Sequence, residues 1–260
     1  MPAGYTHYVF GEQVLDQLDE SIKKRIMPYI DLYHIGIHGP DILFYYDVYK
    51  KNPVKSLGFG MHQLPANSFF KHAKELIRQD ATDASLAYTI GFITHFTLDS
   101  SLHPEIGVLE NTLSMTHSLL ESELDRELLV RVGKDPLTTS LTTHIHPDYT
   151  NAQVIAPFFD LKAEEVDKAL HDLLFILKWL VAPTQIKRNF VLSVMKAGGM
   201  YEEYKGLLIN YEKDEHAAND INHLIEMKDE AVPLAISLIN EYVKHLDDDY
   251  LNERFNRNYE

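Results

Sequence analysis

His95 and Asp99 stand four residues apart in ASLAYTIGFITHFTLDSSLHPEIG, a spacing that puts an imidazole and a carboxylate on one face of a helix. Leu86, Ile90, Ile93 and Thr97 form a neighbouring, largely apolar face that can hold the polar pair in place. Gly91, one turn before His95, permits close approach of another helix, and Pro104 marks an exit just after His103. The next stretch, TLSMTHSLLESELDREL, repeats the device, with His117 and Glu121 again four apart beside a stripe of Leu113, Leu120, Leu124 and Leu128. Imidazole nitrogen and carboxylate oxygen bind Zn²⁺ at roughly 2 Å, and rigid helices preorganise their lone pairs. One such pair alone is ordinarily a solvated helix contact or a packed core histidine. The weight therefore rests on repetition in two successive helices with His103 between the pairs.

The elements that must position these groups read as helical. Apolar residues recur three and four apart over residues 6–18, 20–31, 66–79, 83–101, 112–131, 163–181, 184–196, 201–209 and 212–246, the last with a break expected near Pro233. YHIGIHGPDILFYY, KKNPVKSLGFG and LTTSLTTHIHPDYTNAQ read as connections because Gly, Pro and polar residues interrupt the rhythm. The expected fold is all-α, a compact multi-helix bundle in one domain over 1–260. Its metal-site motifs lie in 1–130, and further packing helices follow from about 150.

Composition narrows the chemistry. At 260 residues with 45% hydrophobic content the chain can bury a self-sufficient core. Lys plus Arg total 24 against 39 Asp plus Glu, a formal charge of -15, which argues against a surface that wraps duplex nucleic acid. With no cysteine and 14 histidines, disulfides, thiolate sites and cysteine nucleophiles drop out, leaving imidazole and carboxylate as the strong ligands. MPAGYTHYVFGEQ has no basic segment leading into an apolar run and cleavage site, so a cytoplasmic location is expected. The longest apolar run, LLFILKWLVAP, contains Lys178 and is shorter than the roughly 20 residues of a membrane span, so any membrane contact is expected to be transient and at the surface.

Several further segments complete a pattern: THYVFGEQVL with His7, GPDILFYY with Asp41, GMHQLP with His62, GFITHFTLDSSLHP with His95, Asp99 and His103, and THSLLESELD with His117 and Glu121. Over about residues 1–130 this order resembles the bacterial zinc-dependent phospholipase C family, an all-helical group related in general fold to single-strand-specific zinc nucleases. The resemblance implies that Asp41, His62, His95 and Asp99 hold one zinc, with Asp99 bridging to a neighbour, and that His103, His117 and Glu121 hold another. A third site in the family uses a histidine matched by His7, the shared carboxylate matched by Asp99, and the processed amino-terminal residue of secreted relatives. Met1 offers no match to that last ligand, so two or three zinc ions are implied.

The remaining histidines compete less well. His72 is the alternative to His62, His34 and His38 flank the GPD turn as supporting groups, and His144 and His146 read as loop residues before they read as an extra metal site. His171, His216, His223 and His245 lack a repeated acidic partner arrangement. Phe10, Phe44, Tyr45, Tyr46, Phe59, Phe69 and Phe70 are candidates to cover apolar substrate, with the aromatic run after Asp41 the best placed and core packing the rival role.

The expected reaction, following the resemblance, is hydrolysis of a phospholipid phosphodiester, with Asp41 orienting or deprotonating the attacking water. A zinc nuclease or other phosphodiesterase needs the same machinery, and a zinc-stabilised structural protein would use the same ligands with no open position for phosphate.

Overall fold

The computed structural model describes residues 4–259, so Met1 lies outside the described residues. Twelve α-helices appear among the described residues, and no strand does. They are α1 (Gly4–Gln17), α2 (Glu20–Ile26), α3 (Ile30–Gly36), α4 (Pro53–His62), α5 (Asn67–Gln79), α6 (Ala84–Leu113), α7 (His117–Arg131), α8 (Tyr149–Ile155), α9 (Ala163–Leu180), α10 (Gln185–Ala197), α11 (Tyr201–Tyr204) and α12 (Ala218–Lys244). The all-α fold expected from periodicity is the one observed.

Helix α6 is the axis of the molecule. Every residue from Ala84 to Ser100 is buried, as suits a helix whose sequence is apolar nearly all round. The threonines on it are satisfied internally: Thr89, Thr94 and Thr97 donate their hydroxyls to the carbonyls of Ser85, Ile90 and Ile93. Helix α3 crosses α6 where Gly36 meets Gly91, and a Cβ on Gly91 would stand 2.3 Å from the Tyr33 carbonyl oxygen. The close approach expected at Gly91 is thus present, and α1, α7 and α12 enclose α6 from other sides. Buried apolar side chains run in one cluster from Tyr5 to Tyr259.

Several expectations are corrected. Pro104 does not end its helix: α6 continues to Leu113 and stops where Ser114 takes a left-handed conformation, φ 55°. Pro104 has no N–H for the carbonyl of Ser100, four residues earlier. Arg254 from the carboxyl-terminal segment supplies the donor instead, its Nη2 lying 3.0 Å from that oxygen. Secondly, KKNPVKSLGFG is largely helical, because Asn52 caps α4 by accepting from the Lys55 N–H at 2.8 Å and Pro53 occupies the first turn. Thirdly, the GPDILFYY segment is a 3₁₀ turn over Gly39–Tyr45, and LTTSLTTHIHPDYTNAQ contains the start of α8, capped by Asp148. Helix α12 runs through Pro233 unbroken.

Candidate metal centre

Three consecutive turns of α6 present His95, Asp99 and His103 on one face, so Asp99 sits between two imidazoles: His95 Nε2 is 3.1 Å from its Oδ2 and His103 Nε2 is 3.6 Å from its Oδ1. Helix α1 brings in His7, whose Nε2 is 3.2 Å from Asp99 Oδ1. The Gly39–Tyr45 turn and the last residue of α4 supply Asp41 and His62, with Asp41 Oδ1 3.0 Å from His62 Nε2. Helix α7 supplies His117 and Glu121, 3.2 Å apart, and Glu121 Oε1 is 3.6 Å from His103 Nε2. All eight candidate residues therefore meet in one place. They fall into three donor groups: His7, His95 and Asp99; Asp41, His62 and His95; and His103, His117 and Glu121.

Local structure explains why the groups converge. Gly39 has φ 51°, and a Cβ there would stand 2.1 Å from His95 Cδ2, so only glycine lets the GPD turn lie against the His95 ring. His62 Nδ1 is 3.0 Å from the Gly58 carbonyl, which can only accept, so Nδ1 carries hydrogen and neutral His62 directs the Nε2 lone pair at Asp41 and Asp99. Glu110 caps α7 by accepting from the His117 N–H at 2.9 Å. Asp125, one turn beyond Glu121, accepts from the Tyr5 and Thr6 N–H groups and from the Thr6 hydroxyl, tying the start of α1, and hence His7, to α7.

The donor set fits a metal. Asp41 Oδ1, His62 Nε2, His95 Nε2 and Asp99 Oδ2, which all face the cluster, are buried without a hydrogen-bond partner. A buried polar atom left unsatisfied costs about 1–3 kcal/mol, so such a concentration is explained by a cation that satisfies several at once. Two donors bound to tetrahedral zinc at about 2.0–2.1 Å stand roughly 3.3 Å apart. The nitrogen–oxygen separations of the cluster, from 3.0 to 3.7 Å, bracket that edge length. His95 belongs to two groups, but a single Nε2 lone pair serves one ion, so neighbouring sites must divide donors there, while Asp99 has two oxygens to share, Oδ1 toward His7 and His103 and Oδ2 toward His95 and His62.

Electrostatics keep the carboxylates ready as acceptors. Burial pushes Asp99 up, yet His95, His103 and His7 together hold it well below the usual carboxylate range. Glu121 is likewise buried and likewise held low, by His117 and His103. Burial favours neutral His117, but Glu121 and Glu110 raise it to about 9; at His95 burial wins and its pKa falls. His7 and His62 resist burial through Asp99 and Asp41 respectively and are raised.

His117 is the most accessible of the eight, its side chain 35% exposed. It opens onto a cleft of about 410 Å³ bordered by His62, His103, Glu121, Phe44 and Phe59. Of the aromatic candidates, Phe44, Tyr45 and Phe59 line this cleft or the apolar pocket beside it, with the Phe44 and Phe59 rings stacked at 4.1 Å. Phe10, Phe69 and Phe70 are core residues instead, and Tyr46 is half-buried under Lys168. His72 lies away from the cluster, against the Pro157 carbonyl. His146 pairs with Asp31, His34 with Glu12, and the buried His144 with His38 at 2.7 Å.

Two contributors were not singled out by spacing. Asp125 continues the four-residue stripe of His117 and Glu121, so the sequence carried a signal for it. Tyr259 carried none: its ring packs 5.2 Å from His62 and 5.9 Å from His95, and its N–H donates to the His62 carbonyl. The tail from Arg254 to Tyr259 thus closes the centre from behind.

No curated protein and no solved structure matches the chain. The family described as zinc dependent phospholipase C matches residues 6–173, a span that contains all eight clustered donors. That span covers more than half of the 260 residues, and the chain belongs to the zinc-dependent phospholipase C family.

Proposed function

We propose that this protein is a zinc-dependent hydrolase that cleaves phospholipid phosphodiester bonds, releasing diacylglycerol and a phosphorylated headgroup, and that its 260 residues act as one domain. The observation that carries the reading is that His62, His103, His117 and Glu121 line a cleft that Phe44, Phe59 and Leu207 line as well. Beyond Phe44 and Phe59 the wall continues into a pocket lined by Tyr45, Ile176, Leu180 and Met195, which suits acyl chains better than nucleotide. A structural zinc site would have no need of such a cleft.

Asp41, His62, His95 and Asp99 would hold one zinc, His103, His117 and Glu121 a second, and His7 with Asp99 part of a third. Bound there, zinc supplies Lewis-acid polarisation of the phosphodiester and lowers the pKa of water to about 7. Asp41, buried beside His62, would orient the attacking water and accept its proton. Water oxygen bonds to phosphorus as the bond from phosphorus to the glycerol oxygen breaks, and solvent returns a proton to that oxygen. Phe44 and Phe59 would hold the apolar part of the substrate and exclude water from it.

The test uses chelated protein reloaded with zinc and choline, ethanolamine, serine and inositol phospholipids, with release of diacylglycerol as the readout. Turnover that disappears on chelation and returns with zinc is expected. Absence of hydrolysis on all four, with zinc bound and helicity intact, overturns the substrate; cleavage of single-stranded nucleic acid instead would favour the nuclease reading.

A further inference from the structure

The matched family span stops at residue 173, and a chemically different stretch begins there. Residues 173–201 contain no Asp or Glu in a chain that has 39, while Lys178, Lys187, Arg188 and Lys196 all fall within them. They include the end of α9 and all of α10. Large apolar side chains on both helices face outward: Phe175 and Trp179 on α9, and Ile186, Phe190 and Val194 at four-residue spacing on α10. Ile186 is 85% exposed and Trp179 40%, and the rings of Phe175, Trp179 and Phe190 form one outward cluster. A contiguous exposed apolar face of this kind marks an interaction surface.

Its surroundings say what covers it. The exposed groove between the helices includes Ile176, Leu180, Met195 and Met200, which also line the inner apolar pocket, and that pocket shares Phe44, Phe59 and Leu207 with the cleft of the metal centre. The outer groove, the inner pocket and the cleft are therefore neighbours, an apolar series that ends at the donor cluster. The nearest acids in sequence each pair with a lysine, Asp172 with Lys168 at 2.6 Å and Glu202 with Lys205 at 2.5 Å. Asp47, beside the groove residues Val48 and Tyr49, also pairs with Lys168. Of the four cations, Lys187 caps α9 by donating to the Lys178 and Val181 carbonyls, and Arg188 turns to the carbonyls of Leu208 and Ile209. Lys178 and Lys196 flank the apolar residues without an ion pair among the described residues.

We infer that the α9–α10 face is the surface by which this protein docks on an anionic phospholipid membrane, delivering lipid along that apolar series to the cleft; the identity of the occupant rests on the phospholipid reading above. A molecule of net charge -15 is repelled by an anionic bilayer over most of its surface, and only an acid-free face can come within the roughly 8 Å screening distance without that cost. A tryptophan among apolar residues and lysines is the composition that settles at the headgroup level.

Trp179 is the single tryptophan, so its emission reports on this face alone. The experiment titrates the zinc-loaded protein with phosphatidylcholine vesicles, with and without phosphatidylglycerol. A blue shift, quenching by brominated acyl chains, and stronger binding with phosphatidylglycerol that weakens in salt are expected. Ile186→Ser with Phe190→Ser, both at exposed positions, should weaken vesicle binding by about tenfold or more while sparing turnover of a soluble short-chain phospholipid. Lys178→Glu with Lys196→Glu should abolish the preference for phosphatidylglycerol. Unchanged emission with every vesicle, or variants that bind as wild type does, overturns the inference, as does a doubled mass in light scattering with Trp179 already shielded by a second copy. Vesicle binding without phospholipid cleavage would leave the docking face standing and remove the proposed reaction; turnover of soluble phospholipid without vesicle binding would do the reverse.

Discussion

Replacing Arg254 with methionine isolates a dependence between the two ends of the chain. Pro104 deprives the Ser100 carbonyl of its helical donor, and Arg254 Nη2 replaces it at 3.0 Å while also reaching Ser100 Oγ at 3.1 Å and Ser101 Oγ at 3.2 Å. A hydrogen bond from a charged donor contributes about 1.5–3 kcal/mol, and a buried acceptor left alone costs about 1–3 kcal/mol, so Arg254→Met should destabilise by roughly 2–4 kcal/mol. Pro104→Ala restores an N–H to the same carbonyl. In that background Arg254→Met should cost about 1–2 kcal/mol less, a coupling readable by a double-mutant cycle from urea denaturation of the zinc-loaded protein. Ser100 adjoins Asp99 and Pro104 adjoins His103, so Arg254→Met alone should also weaken zinc retention against a competing chelator. Strictly additive effects of the two substitutions would refute the claim that Arg254 stands in for the N–H that proline lacks.

Gly39→Ala forces a left-handed alanine, about 1–2 kcal/mol, and drives a methyl into His95, so zinc content should fall by the ion held with Asp41 and His62 while the His103, His117 and Glu121 group keeps its own. Metal analysis showing full stoichiometry would contradict that packing. In chelated protein His117 should titrate near 9 because Glu121 and Glu110 outweigh its burial; Glu121→Gln should move it toward 6.5 in an NMR titration, and an unmoved His117 would disprove the pairing. Burial pushes Asp125 up to about 7 from 3.8 despite its three donors. A carboxyl raised on folding contributes its stability below pH 3.8 and loses it as pH rises through about 7, so wild-type stability minus that of Asp125→Asn should decline across this window by up to ~4 kcal/mol. A flat difference, measured by denaturant midpoints at constant ionic strength, would rule the shift out.

Helix type and order were legible because α5, α9, α10 and α12 carry apolar residues on one face at helical spacing and α6 is a long apolar run, and the donors on α6 and α7 were legible because four-residue spacing is itself geometry. What failed was punctuation. Pro104 read as an exit because a proline inside a helix is normally unaffordable, and the compensation comes from Arg254, 150 residues away, where no local pattern reports it. The α4 segment failed for the opposite reason: Asn52 and Pro53 are a good helix start, but Gly58 and Gly60 outweighed them in the reading. Gly58 belongs there because a Cβ would press to 3.0 Å on Leu43, in the turn that carries Asp41. Tyr259 was invisible since a ring packed on two imidazoles leaves no spacing in the sequence.

Charge is distributed as two opposite demands require. The centre needs ionised carboxylates to hold a cation, and Asp99 and Glu121 stay ionised in a buried setting because imidazoles surround them. Those acids lie within the span that matches the family. The outer face needs the reverse, apolar area with cations and no acid, and residues 173–201 satisfy it directly beyond that span. Bulk charge is therefore a poor guide to what the molecule can approach. With a Debye length of about 8 Å at physiological ionic strength, acids on the far side are screened from a bound surface, and the local composition of α9 and α10 governs contact. The two acids that border the cleft away from the donor cluster each have a local partner, Glu110 the His117 N–H and ring and Glu202 the Lys205 ammonium, which offsets their repulsion of a phosphodiester.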